Sequence, residues 1–200
     1  MALQWKWDAD MSVEEFFELR ENDPDHRYEY IDGDVYMMTG GTRRHAHLAN
    51  TIGQILANLL QKRPCLVFNS DACVQLSETR YVCPDAAVSC DPRDNDSEEA
   101  MEEEDTFVRY PCLVVEVLSP GTRARDRGTK VKLYQECPTI QDYLIIDTEE
   151  PRVWHYQRQA SDLWAIHMLG LDDSVMLTSI DASFPVAELY RKTRFGLTSA

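Results

Sequence analysis

"PCLVVEVLSPGTRARDRGTKVKLYQE", residues 111–136, decides the fold. In its first part Leu113, Val114 and Val115 precede Glu116, and Val117 and Leu118 follow it, the pattern of a strand buried on both faces. An ionised glutamate isolated there would cost several kcal/mol of desolvation, so a cation, a hydrogen-bond donor or a metal has to compensate it. The last part has a helical period over about 126–137. At 100° per residue Val131, Leu133, Tyr134 and Cys137 share one face, with Lys130 near its centre and Lys132 nearly opposite. Lys130 is therefore expected to point at the sheet, with Asp126 and Arg127 on the same side one turn earlier; the alternative is that its ammonium snorkels past the helix edge to water. Strand and helix are joined by a basic island, since residues 123–132 hold five of the chain's twenty lysines and arginines.

Upstream, "MSVEEFFEL" carries Ser12 and Glu15 in capping-box spacing before a helical apolar face. "YEYIDGDVYMM" places Asp32-Gly33 between two β-prone runs, a strong hairpin signal. Residues 43–62 space Leu48, Ile52, Ile55, Leu56 and Leu59 as an amphipathic helix. Strands are expected at 65–76, 81–90, 112–118 and 142–148. Downstream, "PRVWHYQR", "LWAIHML" and "SVMLTSI" read as further strands, and "VAELY" as a closing helical turn. This order predicts one α/β (α+β) domain over 1–200: a mixed sheet with flanking helices over about 43–148, a helix and hairpin over 11–40, and antiparallel strands over 151–190.

Composition narrows the function classes. A formal charge of −15 argues against a protein that coats nucleic acid, because such affinity comes from cations neutralising phosphates. Nine acids and one arginine between Asp91 and Asp105 read as a solvated loop. No apolar run approaches a membrane span, and "MALQWKWDADMS" lacks the order of a signal peptide, so a cytoplasmic protein is expected. The six cysteines lie in apolar segments without a C-x-x-C pair, and reduced core thiols are expected instead of disulfides or a zinc site.

The best company for Glu116 is a second acid. "YVCPDAAVSC" places Pro84 and Asp85 at a strand opening, and pairing of that strand with 112–118 would bring Asp85 within a few ångströms of Glu116. Two such acids repel unless a proton or a dication lies between them, and hard oxygen ligands favour Mg²⁺ or Mn²⁺. The competing reading pairs Glu116 with Arg123 or Arg125 and leaves Asp85 as a turn residue.

Pro84-Asp85, followed some thirty residues later by Glu116-Val117-Leu118, resembles the PD-(D/E)XK nuclease superfamily, with Leu118 where that motif has lysine. Residue 118 shares a strand face with 116, so Lys130 from the next helix could bring the same charge to the same place. With "RYEYIDGDVYMM", "GGTRRHAHLANTIGQILANLL", "YVCPDAAVSCDPRD" and "IQDYLIIDTEEPRVWHYQR", this displaced lysine resembles the Uma family of "putative restriction endonucleases" from about Met11 to Tyr190. The resemblance implies a restriction-endonuclease-like core, Mg²⁺ (or Mn²⁺) dependence and nucleic-acid cleavage, with Asp85 and Glu116 as metal ligands and Lys130 as catalytic cation. It also draws in Glu29 and His45. Read from the residues alone, Glu29 is either a solvent-facing acid of a hairpin strand or part of the site, and His45 either a first-turn structural residue or part of the site. Arg123, Arg125 and Arg127, with Arg43 and Arg44, are expected at phosphates, and a two-fold homodimer would let one assembly reach both DNA strands.

Two other classes compete with the endonuclease: a catalytically silent binding or regulatory module that keeps the fold, and a hydrolase of small phosphodiesters, which would suit the acidic charge. "EVLSPGT" lacks the elbow of a serine hydrolase, and Gly40-Gly41 matches no phosphate-loop motif.

Overall fold

The computed structural model describes residues 6–7, 10–38, 40–95 and 107–196; most of the acidic stretch, residues 96–106, lies outside them. The strands are β1 (Lys6–Trp7), β2 (Arg27–Ile31), β3 (Asp34–Met38), β4 (Leu66–Asn69), β5 (Cys73–Ser77), β6 (Arg80–Val82), β7 (Ala86–Ser89), β8 (Phe107–Val108), β9 (Leu113–Val117), β10 (Asp142–Ile146), β11 (Val153–Ala160), β12 (Leu163–Leu169), β13 (Ser174–Leu177) and β14 (Ala182–Pro185). The helices are α1 (Val13–Asn22), α2 (Arg43–Leu60), α3 (Pro92–Asn95), α4 (Arg123–Asp126), α5 (Thr129–Glu136) and α6 (Val186–Tyr190).

Two sheets organise the chain. One runs β1-β3-β2-β6-β5-β8, the other β12-β11-β10-β9-β7-β4, and β13 and β14 form a separate hairpin. In the second sheet only β9 and β10 are parallel, and the crossover between them carries α4 and α5. Alternation along β9 sorts its side chains. Leu113, Val115 and Val117 pack with Leu48, Ile52 and Leu56 of α2, whereas Val114 and Leu118 pack with Leu133 and Tyr134 of α5 and with Ile31, Val74 and Val82 of the first sheet. Glu116 therefore belongs to the layer between the two sheets. On the outer face of the first sheet Phe16 of α1 meets Tyr28, Tyr30 and Tyr81.

The local signals for α1 and the first hairpin are met. Ser12 Oγ accepts from Glu15 N at 3.2 Å while Ser12 N donates to Glu15 Oε2 at 2.8 Å, a complete capping box. Asp32 and Gly33 both take positive φ, 50° and 99°, as a two-residue hairpin turn requires.

Three expectations need correction. The runs 65–76 and 81–90 are not two strands but four, β4 to β7, distributed over both sheets. The second run breaks at Cys83-Pro84-Asp85 because Pro84 has no N–H to give a ladder and Cys83 N donates to Glu29 instead, at 3.0 Å. The helix expected over 126–137 starts earlier and is interrupted at Arg127-Gly128, so Arg127 turns outward while Asp126 stays buried. The cysteines are not all thiols: Cys65 bonds to Cys90 and Cys73 to Cys83, leaving Cys112 and Cys137 free. Strand register decides this. Leu66 opposes Ser89 and Val74 opposes Val82, so each bonded pair lies one step along the same ladder, with Cα atoms 4.1 Å apart.

Candidate active site

The antiparallel β7–β9 ladder ends with Ala86 opposite Val115, and one step beyond lie Asp85 and Glu116. Asp85 folds back over the strand end, where its Oδ2 accepts from Val117 N at 2.7 Å and stands 3.3 Å from His45 Nε2. Glu116, 4% exposed, offers Oε1 to Lys130 Nζ and to the Tyr134 hydroxyl, each at 2.7 Å. Both carboxylates thus spend one oxygen on the protein. The second oxygens, Asp85 Oδ1 and Glu116 Oε2, accept no hydrogen bond among the described residues.

Lys130 does not snorkel. It is 1% exposed, with Nζ 2.7 Å from Glu29 Oε1, 2.7 Å from Glu116 Oε1 and 3.8 Å from Asp126 Oδ1. Helical periodicity supplies the approach: Tyr134 follows Lys130 by one turn of α5, so both reach the same carboxylate. Glu29 is not a solvent-facing acid. It shares the inward face of β2 with Ile31, while Tyr28 and Tyr30 face α1, and it accepts from Cys83 N and pairs with Arg125 as well as Lys130. The alternation of β2 is real, but both faces of its sheet are covered.

The charges of this cluster do not cancel. Glu29, Glu116 and Asp126 surround Lys130, with Asp85 on the side of Glu116 and Arg125 at one edge. Burial pushes the Glu116 carboxyl up to about 8, against the pull of Lys130, and Asp126, Asp85 and Glu29 push the same way. Burial also raises Asp126, whose two buried oxygens have no hydrogen-bond partner. Glu29 behaves oppositely: burial works against its charge, yet Lys130 and Arg125 hold its carboxyl below the usual range. Burial likewise opposes the Lys130 ammonium, but Glu116 and Glu29 raise its pKa. Burial disfavours a charged His45, and its hydrogen bond to Asp85 and the Asp85 charge more than offset that, so His45 is raised.

His45 opens α2, where Thr42 Oγ1 caps its N–H at 3.2 Å. Gly41 makes room for it: a Cβ at that position would lie 2.6 Å from His45 Nδ1. A cavity of about 560 Å³ joins these groups, reaching Asp85, Glu116, Lys130 and His45 at one end and running along α2 and β4.

The basic island does not form one patch. Arg123 makes a two-pronged pair with Asp147, both contacts 2.9 Å; Arg125 pairs with Glu29 and stacks over Tyr36; Arg127 is exposed and lies over Trp154. Arg44 is held by Glu149 at 2.7 Å, and Arg43 is exposed. Sequence reasoning missed Tyr134 as a partner of Glu116, although its one-turn spacing from Lys130 signals it. It missed the Glu29–Arg125 pair too, which no local pattern announces.

The sequence profile of the Uma2 family, described as "Putative restriction endonuclease", matches residues 13–186. The chain belongs to the Uma2 family. Similar to it are an uncharacterized protein of Synechocystis sp., 38% identical over 92% of this chain and 94% of that protein, and a second uncharacterized Synechocystis protein, 28% identical over 74% and 81%. A crystal structure from Anabaena variabilis, described as a putative nuclease belonging to DUF820, superimposes with a TM-score of 0.71 at 21% identity, covering 90% of this chain and 97% of that one. The Uma2 chain therefore has a nuclease-like α+β fold with mixed sheets flanked by helices, the α+β layering expected from its strand and helix order and the nuclease-like core from its family resemblance. No helix among its described residues is long and apolar enough to cross a membrane.

Proposed function

We propose that the protein is a metal-dependent endonuclease that hydrolyses phosphodiester bonds of nucleic acid. The observation that carries this reading is the convergence of Asp85, Glu116 and Lys130, from three separate elements, at the end of one cavity. The donor set fits Mg²⁺ or Mn²⁺. Asp85 Oδ1 and Glu116 Oε2 are the oxygens left for an ion, and such ions are commonly held by one or two carboxylates with water and phosphate oxygens completing the shell. The surplus of buried carboxylate, with Glu116 raised and Asp126 facing Lys130 only at 3.8 Å, is the electrostatic condition a dication would relieve. When bound, the metal would supply a polarised phosphoryl oxygen and an acidified water.

The chain's own residues have separable tasks in this reading. Lys130 faces the scissile phosphate and stabilises the charge that develops on its oxygens. Glu29 is a positioning residue, fixing Lys130 and Arg125 from behind. His45 and Val117 N hold Asp85 by one oxygen. Tyr134 orients Glu116.

The test is cleavage of plasmid, single-stranded DNA and RNA with Mg²⁺ or Mn²⁺ by the wild type, Asp85→Ala and Lys130→Ala. Metal-dependent cutting that both substitutions reduce by about 10²-fold or more is expected. Equal cutting by all three proteins would assign the activity to a contaminant.

A second reading, a binding module that keeps the fold without turnover, has one observation on its side. Among the described residues no three His, Cys, Asp or Glu side chains assemble into a metal-holding group. Folded protein that shows neither metal uptake by calorimetry nor cleavage of any substrate would favour it.

A further inference from the structure

The cavity does not stop at the carboxylates. From His45 to Ala57 it follows α2 for about 18 Å, at about 1.5 Å per residue, with β4 and the residues after it as the facing wall. Its chemistry changes along that length. Beyond His45 the lining face of α2 carries no charge: Asn50 and Gln54, one helical turn apart, present exposed carboxamides with no hydrogen bond to the protein among the described residues, and Gly53 lies between them. The facing wall offers half-buried Val67 on the α2 side, with Phe68 reaching the cavity only from the opposite face of β4, towards the layer between the sheets, and Asn69 and Ser70 at the strand's end. Neutral donors and acceptors beside apolar surface complement base edges and base faces, not phosphates.

The surrounding cations point the same way. A duplex presents one phosphate per about 1.7 Å of axis, and holding it requires several uncommitted lysines and arginines. Near this cavity Arg27 is engaged by Ser70 and Asp71, Arg44 by Glu149, Arg123 by Asp147 and Arg125 by Glu29. That leaves exposed Arg43 without an ion pair among the described residues, closer to the demand of one strand, with a phosphate per about 3.4 Å, than to that of a duplex.

We propose that the groove between α2 and β4 receives an unpaired strand of nucleic acid, its bases against Asn50, Gln54 and the β4 wall, its phosphate at the Asp85–Glu116–Lys130 end. This rests on the nuclease reading and specifies its substrate as single-stranded or locally melted. Gly53 provides a selective test. A Cβ added there meets nothing within 4 Å, so a larger side chain fills the groove without straining the helix, and replacing a mid-helix glycine favours the fold.

The experiment is fluorescence anisotropy in Ca²⁺ buffer with short labelled single-stranded DNA and RNA and a matched duplex, on wild type, Gly53→Leu and Gln54→Ala, with melting temperature recorded for each. Single strands are expected to bind at least about tenfold tighter than duplex, and Gly53→Leu to weaken them by about tenfold or more at an unchanged or higher melting temperature. Gln54→Ala should weaken them less. Duplex binding as tight as single-strand binding, no single-strand binding, or unchanged affinity in Gly53→Leu would overturn the groove assignment. Those results leave the metal-dependent cleavage test with Asp85→Ala and Lys130→Ala to be decided on its own.

Discussion

Lys130 Nζ and Glu29 Oε1 meet at 2.7 Å with neither side chain reaching solvent, one at 1% and the other at 0% exposure. Such a pair joins α5 to the first sheet and sets the height at which the ammonium stands over Glu116. Removing one partner of a buried pair leaves an uncompensated charge, at a cost of about 3–5 kcal/mol. Glu29→Ala is therefore expected to lower thermal stability strongly. Glu29→Gln, which keeps the shape and an acceptor for Cys83 N, should fold better while still losing activity. Denaturant melts and cleavage assays on both variants check this; a Glu29→Gln protein with wild-type cleavage would remove Glu29 from the site's support.

Lys130 should show its second role through pH. In Lys130→Met the acids around the vacated position lose their common cation: Glu116 and Asp126, already raised, are pushed further up, and Glu29 loses the charge that does most to hold its carboxyl down. An acid whose folded pKa is raised binds more protons folded than unfolded, so its contribution is complete below the unfolded value and disappears as pH rises through the folded one. The variant should therefore lose least stability near about pH 5 and most near about pH 8. Thermal melts of both proteins across that range measure the difference, and a constant difference would contradict it.

Metal uptake should release protons. With burial pushing the Glu116 carboxyl up to about 8, a dication binding that carboxylate at neutral pH is expected to displace a proton from it. By the same sign rule, the contribution of Glu116 to the stability of metal-free protein falls as pH rises from its unfolded value to about 8. His45, also raised, acts in the same direction as pH passes through its own folded value. Mn²⁺ affinity is expected to rise with pH over that window. Calorimetry in two buffers of different ionisation enthalpy reads the proton count directly, and buffer-independent heats would show that Glu116 is already ionised or does not bind.

Gly41 is a sensitive point outside the carboxylate cluster. A methyl group there would sit 2.6 Å from His45 Nδ1 and 2.8 Å from Cγ, so in Gly41→Ala the two must move apart, and the imidazole is expected to turn away from Asp85. Gly41 is exposed and lies in no regular element, and the melting temperature should barely change. Cleavage should fall by about 10–100-fold, the scale of a displaced active-site group. The ring titration, followed by NMR, should lose the upward shift that Asp85 imposes; a ring that titrates as in the wild type would mean that Gly41 does not set its position.

How far the sequence announces all this depends on range. Ser12 with Glu15, Asp32 with Gly33, and the inward face of α5 are governed by neighbours within a turn or two, and they fold as their spacing predicts. Asp85 beside Glu116 needed only one strand pairing. What stayed hidden is set by contacts between sheets. The alternation of β2 leaves Glu29 either outward or in the site, and only the covering of its second face makes it a partner for Lys130 and Arg125. Arg123 and Arg125 read as a free basic island for the same reason: Asp147 and Glu29 come to them from distant strands. The break at Cys83-Pro84-Asp85 combines a local cause, the missing N–H of Pro84, with a distant one, the Glu29 carboxylate.

The cysteines extend that lesson and can be counted. Residue spacing alone suggested six thiols, whereas strand register sets Cys65 against Cys90 and Cys73 against Cys83. The first bond ties the edge strand β4, one wall of the groove, to β7. The second ties β5 to β6 in the other sheet. Protein prepared without reductant and unfolded in guanidinium should present two reactive thiols, Cys112 and Cys137, and six after reduction. Reduction should cost about 2–4 kcal/mol per bond lost, visible as a lower denaturation midpoint. Cys65→Ser should remove the part due to the β4 tether and loosen the groove wall, so its stability loss should shrink when reductant is present for both proteins. Six reactive thiols in the unreduced, unfolded sample would mean that the register brings these cysteines together without joining them.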